Sequence, residues 1–138
     1  MSHLGVAVEV EFEEPRATQL VRVQRRSGHV VGDRVIVAED RLVRLPRSRE
    51  LRRRSPGGGV HVVAAHLDLV VVVVALEPPP RIGLIDRAAV AARSAGLEVA
   101  LCVNKIDLEG GLELVELLQD TVGAAMPVIG VSAVTSDG

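Results

Sequence analysis

Aromatic side chains are almost missing from this sequence: Phe12 stands alone, with no Trp and no Tyr. Base stacking on aromatic rings, the usual way of gripping single-stranded nucleic acid, therefore has almost no platform. Cysteine is as scarce. Cys102 by itself cannot form an internal disulfide, and it sits in an apolar run, so the expectation is a reduced cytoplasmic protein with Cys102 packed in its core. The longest apolar run, Leu69 to Leu76, falls well short of the roughly 20 residues that span a bilayer. No basic segment leads into an apolar one, so no membrane partner is expected. Lysine is the scarcest cation, with 15 Arg and a single Lys, Lys105.

What is present suffices for a globular protein: 138 residues, 48% of them apolar, enough for one ordinary domain or two small ones. The net charge of −2 hides an asymmetry. Residues 1–56 carry 12 Arg against 8 acids, and residues 57–138 carry 4 cations against 10 acids.

The hydrophobic pattern changes along the chain in the same way. Val6, Val8, Val10 and Phe12 alternate with Ala7, Glu9 and Glu11, and Leu20 to Val23 follow after a break at Pro15. A turn at Gly32-Asp33 leads into Arg34 to Val37, and Glu39-Asp40 separates that run from Leu42 to Leu45. These short half-buried strands predict a minimal β-barrel of OB-fold type over residues 1–56, five-stranded in its fullest form. Residues 46–59 mix Arg, Pro, Ser and Gly without apolar periodicity, which predicts a linker and a domain boundary.

Residues 57–138 predict a different architecture. Val60 to Ala65, Leu69 to Ala75, Val99 to Val103 and Val128 to Val131 are the near-continuous β-branched runs of strands buried on both faces of a parallel sheet. Between them, Ile82, Ile85, Ala89, Val90 and Ala92, then Leu112, Leu114, Val115, Leu117 and Leu118, recur at helical spacing. Pro78-Pro79-Pro80 ends the second strand, and Gly96 and Gly123 are plausible helix stops. Alternating strands and helices predict an open α/β sheet with ligands bound beyond the carboxyl ends of its strands.

Two polar motifs lie at such ends. Asn104-Lys105-Ile106-Asp107 follows one strand and Ser132-Ala133 follows the next. Guanine presents N1–H and an exocyclic amine side by side, so one carboxylate, Asp107, can accept both, whereas adenine lacks that donor pair. Asn104 carries a donor and an acceptor, able to meet the O6/N7 side of the base or to tie loops together. Lys105 can lay its methylene stem over the ring while its ammonium stays solvated. The Ala133 amide can point at O6, with Ser132 in support. The blander reading, a solvated loop capping the next helix, competes for Asn104 and Asp107 taken alone. The strand before, the helix after and Ser-Ala at the next strand tip outweigh it.

Several other chemistries have no support. His3, His29, His61 and His66 are scattered without a cysteine partner, which predicts no zinc or other metal site, and no Ser-His-Asp or Cys-His arrangement can be drawn. Asp68 receives no role. A phosphate loop needs Lys followed by Ser or Thr, but the only Lys is followed by Ile106. Gly57-Gly58-Gly59 and Gly110-Gly111 therefore read as linker or turn, and no catalytic residue can be named.

Gly32-Asp33-Arg34-Val35, Leu45-Pro46-Arg47, Ala64-Ala65-His66-Leu67-Asp68, Ile85-Asp86-Arg87, Asn104-Lys105-Ile106-Asp107-Leu108 and Val131-Ser132-Ala133 together resemble the ribosome small subunit-dependent GTPase A family, over nearly the whole chain. His66 stands where that family usually has Asn. The resemblance implies an OB-fold barrel (1–56) followed by part of a circularly permuted α/β P-loop-type GTPase domain (57–138), in which guanine motifs precede the phosphate loop. It implies that the chain stops at Gly138 short of that loop and of the family's zinc-binding domain. For the intact protein it implies GTP binding with Mg2+, GTP hydrolysis stimulated by the small ribosomal subunit, and a part in late maturation of that subunit. It places Asn104, Lys105, Asp107, Ser132 and Ala133 on guanine. This chain alone is expected to be inactive as a GTP hydrolase.

The alternative is a non-catalytic RNA-binding module. It rests on the barrel and on an arginine run, from which Arg47, Arg49, Arg52, Arg53 and Arg54 are the candidate phosphate contacts. Ribosomal RNA is the expected nucleic-acid partner, and DNA is not.

Overall fold

The structure, a computed structural model, describes residues 6–24, 27–39 and 41–138 and the side chains of all of these but Val6. His3 and Asp40 lie outside the described residues. Three antiparallel strand pairs come first. β1 (Val6–Phe12) pairs with β2 (Ala17–Val23), β3 (Val35–Ala38) with β4 (Arg41–Arg44), and β5 (Leu51–Arg54) with β6 (Val60–Ala64). A parallel sheet follows in the order β7 (Leu69–Ala75), β8 (Glu98–Asn104), β9 (Val128–Gly130). Helix α1 (Leu84–Ser94) links β7 to β8, and α2 (Gly111–Val122) links β8 to β9. Among the described residues no helix is long and apolar enough to cross a membrane.

The alternation expected in β1 is present, with Val8, Val10 and Phe12 half-buried and Ala7, Glu9 and Glu11 exposed. The strands do not close into a barrel among the described residues. Each pair hydrogen-bonds internally, and a cavity of about 1340 Å³ separates β1 from the β3 side, between Val8, Val10 and Phe12 and Val35, Val37 and Val63. A four-residue strand offers few ladder bonds, and medium-sized Val side chains leave that interior unfilled.

A polar node ties together the segments that flank β3 and β4, and a backbone bond beside it reaches the end of β6. The Asp33 carboxylate accepts from Arg47 Nε at 2.5 Å and Nη2 at 2.7 Å, and from the Val30 amide at 2.9 Å. The Asp33 side chain is only 3% exposed, and the Arg47 hydrogen bond above all holds its carboxyl below the usual carboxylate range. Beside it, the Ala65 amide donates to Val31 O, and a Cβ on Gly32 would stand 2.1 Å from Ala65 O, so only glycine permits this approach.

Two sequence expectations are corrected here. Residues 46–59 are not all linker: Leu51–Arg54 form β5, whose Leu51 packs against the core. Alternating apolar periodicity is not required of a four-residue strand whose other side chains are exposed arginines. Val60–Ala64 is not a parallel-sheet strand but the antiparallel partner of β5, largely exposed. A β-branched run looks alike whether one face or both are covered.

His66 has φ +56°, a left-handed conformation that Asn and His tolerate better than most residues, which accounts for His standing at a position the resembled family fills with Asn. Its Nδ1 lies 3.0 Å from Ser48 Oγ.

The core lies between the parallel sheet and its helices. Register pairs Val72 with Leu101 and Val74 with Val103, and these meet Ala89 and Ala92 of α1 and Val115 of α2. Ile82 and Val90, counted in the helical pattern, are exposed: Ile82 precedes α1, and Val90 is on its outer side. Both helices pack on one face of the sheet. Among the described residues the other face is uncovered, so β7 is buried on one side only, and Cys102 is half-buried there rather than packed in the core.

Candidate nucleotide site

β8 ends at Asn104, and the backbone turns at Lys105 with φ +65°, a strained conformation of the kind found at functional sites. Helix α2 follows at once and presses against this turn. A Cβ on Gly111 would lie 2.7 Å from Ile106 Cα and 2.9 Å from Lys105 O, so Gly111 permits the contact. Reading Gly110-Gly111 as a simple turn missed this packing role.

The two strand-end loops are bonded to one another. The Ile106 amide donates to Val131 O at 3.2 Å. The Asn104 Oδ1 accepts the Lys105 amide at 2.8 Å and the Ala133 amide at 3.2 Å. Ser132 Oγ donates to Asp107 Oδ1 at 2.5 Å, and Ser132 is 2% exposed. The Ser132 amide in turn donates to Asp137 O at 2.8 Å. Asn104 thus serves as the tie between loops, and the Ala133 amide faces Asn104 here. Asp107 remains exposed, with one carboxylate oxygen anchored.

Lys105 Nζ donates to Glu77 O at 2.7 Å, spanning from β8 to the loop after β7. Nothing in the sequence pattern signals this partner, because a backbone carbonyl has no residue signature. Its effect is to extend the lysine stem along the carboxyl edge of the sheet. Asn104, Lys105, Asp107, Ser132 and Ala133 are therefore gathered at one place. Two cavities lie elsewhere, the one beside β1 and one of about 380 Å³ between Arg47–Arg52 and the end of α1; neither is lined by these five residues.

The five arginines are dispersed in role. Arg47 is committed to Asp33, Arg49 pairs with Asp68, and Arg52 Nη2 lies 2.7 Å from Glu50 Oε2. Asp68, given no role from sequence, is thereby an ion-pair partner. Arg53 and Arg54 are exposed on β5, and no salt bridge to either occurs among the described residues.

A parallel sheet whose second strand ends in Asn-Lys-x-Asp, tied to Ser-Ala at the third, agrees with the comparison to known families: the sequence model of RsgA GTPase matches residues 44–138. The chain belongs to the RsgA GTPase family. It is 39% identical to the small ribosomal subunit biogenesis GTPase RsgA of Pseudomonas savastanoi pv. phaseolicola, an alignment taking in 100% of this chain and 44% of that protein. The protein of the same name from Pseudomonas putida KT2440 gives the same identity and coverage. That of Azotobacter vinelandii is 38% identical over 96% of this chain and 43% of its own length. The chain thus spans less than half the length of these relatives.

Proposed function

We propose that this chain is the guanine-recognising portion of a GTP hydrolase acting in the cytoplasm in late maturation of the small ribosomal subunit. The observation that carries this is the exposed Asp107 carboxylate, held at a strand end by buried Ser132 while Asn104 ties the two loops. A carboxylate with a fixed orientation can receive both guanine N–H donors, and an adenine would leave it unmatched. Lys105 would cover one ring face with its stem. The Ala133 amide, bonded to Asn104 across 3.2 Å, would turn to O6 when the base arrives.

On this reading residues 1–56 correspond to an OB-fold-like portion and residues 57–138 to part of a circularly permuted GTPase domain. The chain's only Lys is followed by Ile, so it has no phosphate loop of the Lys-Ser/Thr kind. The residues present therefore offer contacts to the base of GTP without a Lys-Ser/Thr loop for its phosphates, and no hydrolytic step is assigned to this chain. The test is nucleotide binding by calorimetry. GDP and GTP should bind more tightly than ADP and ATP, and Asp107→Asn should shift preference toward xanthine nucleotides, whose C2 carbonyl accepts from the Asn amide. Equal binding of both purines would sink the proposal, and GTP turnover above buffer would contradict an incomplete site.

A second reading, contact with ribosomal RNA, is favoured by Arg53 and Arg54, which lack acidic partners among the described residues. Their replacement by Ala should flatten the salt dependence of rRNA binding by about one unit of slope each. A slope unchanged by the substitutions would reject it.

A further inference from the structure

The loop after β9 closes on itself around Ser132. The Ser132 amide donates to Asp137 O at 2.8 Å, part of an antiparallel bridge that draws Ser132 to Asp137 into one tight turn. Inside that turn the Thr135 amide donates to Ser132 Oγ at 3.2 Å, and Thr135 Oγ1 donates to Asp137 Oδ2 at 2.6 Å. Ser136, between these two, has φ +62°, a left-handed conformation that a residue with a side chain keeps only where surrounding bonds hold it. Neither Thr135 nor Asp137 is among the five residues gathered at the strand ends.

The turn bears on a single hydroxyl. Ser132 Oγ has one proton to give and lone pairs with which to accept. The Thr135 N–H takes up its accepting side, which directs its proton to Asp107 Oδ1. Two hydrogen bonds polarised in the same direction strengthen one another. Ser132 is 2% exposed, so bulk water is a poor substitute for the Thr135 donor. That donor belongs to the backbone, and the bond between the Thr135 hydroxyl and the Asp137 carboxylate clips it in place.

We propose that Thr135 and Asp137 are positioning residues of the guanine site, acting through Ser132. The clip sets the Thr135 amide against Ser132 Oγ, and Ser132 in turn fixes the Asp107 carboxylate. The inference rests on the reading of Asp107 as the guanine acceptor. What it controls is the sharpness of base selection. A fixed carboxylate meets the N1–H and the exocyclic amine of guanine together, whereas a turning one meets them one at a time. Hypoxanthine differs from guanine by that amine alone, so the ratio of GDP to IDP affinity reads the orientation of Asp107.

The test uses the 138-residue chain and a set of single and double variants. Thr135→Val keeps the side-chain shape and removes the hydroxyl, and Thr135→Ser keeps the hydroxyl. In calorimetry Thr135→Val should weaken GDP binding about threefold with IDP binding little changed, and Thr135→Ser should restore the native ratio. Asp137→Ala should lower the GDP-to-IDP ratio as Thr135→Val does. Because the effect passes through Ser132, Thr135→Val should add no further loss once Ser132 is Ala. Equal weakening of GDP and IDP would mean a merely structural turn, and additive losses in the double variant would mean a separate route; either overturns the inference. The Asp107 rotamer is read independently of nucleotide from three-bond NMR couplings. One rotamer should dominate in the native chain and in Thr135→Ser, and several should average in Thr135→Val. Identical rotamer populations in all three would overturn the inference. No preference for guanosine over adenosine nucleotides in the native chain would instead sink the guanine reading, and the rotamers would still decide whether Thr135 holds Asp107.

Discussion

Ser132 Oγ donates to Asp107 Oδ1 at 2.5 Å, so a side chain 2% exposed on one strand end fixes an exposed carboxylate on the next. A charge-assisted hydrogen bond of this kind contributes about 1.5–3 kcal/mol, and here it also removes rotamer freedom from the group proposed to meet the base. Ser132→Ala should therefore lower guanine-nucleotide affinity roughly tenfold, equivalent to about 1.4 kcal/mol. Calorimetry checks this. Affinity unchanged by Ser132→Ala would mean that Asp107 is held by something else.

Gly111 tests the packing beneath the site. Ala in place of Gly gains about 1 kcal/mol of helix propensity, but its Cβ would meet Ile106 and Lys105 backbone atoms at 2.7–2.9 Å, and such overpacking costs about 1–3 kcal/mol. Backbone atoms cannot swing aside as a flexible side chain would. Gly111→Ala should lower the melting temperature and weaken guanine binding together. A rise in melting temperature would show that helix propensity wins.

The Asp33–Arg47 pair predicts a pH dependence. Asp33 is held below its ordinary pKa, chiefly by the Arg47 hydrogen bond, while the unfolded value is about 3.9. A depressed folded pKa contributes stability that is present above the unfolded value and is lost as pH falls through the folded one. The melting temperature of the native chain should thus fall below about pH 4. Asp33→Asn should cost about 2 kcal/mol near neutrality and show a shallower acid dependence. Parallel acid curves for the two proteins would contradict a coupled pair.

The sequence alone carried the parallel portion of the fold almost complete. Four β-branched runs and two helical periodicities are long signals, and β7, α1, β8, α2 and β9 fall on all but one of them. The exception, Val60–Ala64, shows what such a run leaves open. Apolar character along a strand says that one face must be buried, but it does not say which partner supplies the burial or in which direction that partner runs. The arginine-rich partner β5 was invisible for the converse reason: a short strand with exposed side chains has no periodicity to detect.

The candidate site divides in the same way. Residue types at strand ends identified Asn104, Lys105, Asp107, Ser132 and Ala133, because the chemistry of guanine asks for those groups and the pattern of strands places them at one edge. Tertiary structure alone decided how they are held. That Asn104 binds the two loops together, that Lys105 reaches Glu77 O, and that Gly111 lets α2 abut the turn are contacts with backbone atoms, which every residue carries and no composition reveals. The commitment of Arg47 and Arg49 to acids was likewise a matter of distances between segments far apart in the chain, while Arg52 pairs with Glu50 two residues away. Local chemistry determined which groups this protein offers; folding determined which of them are already in use.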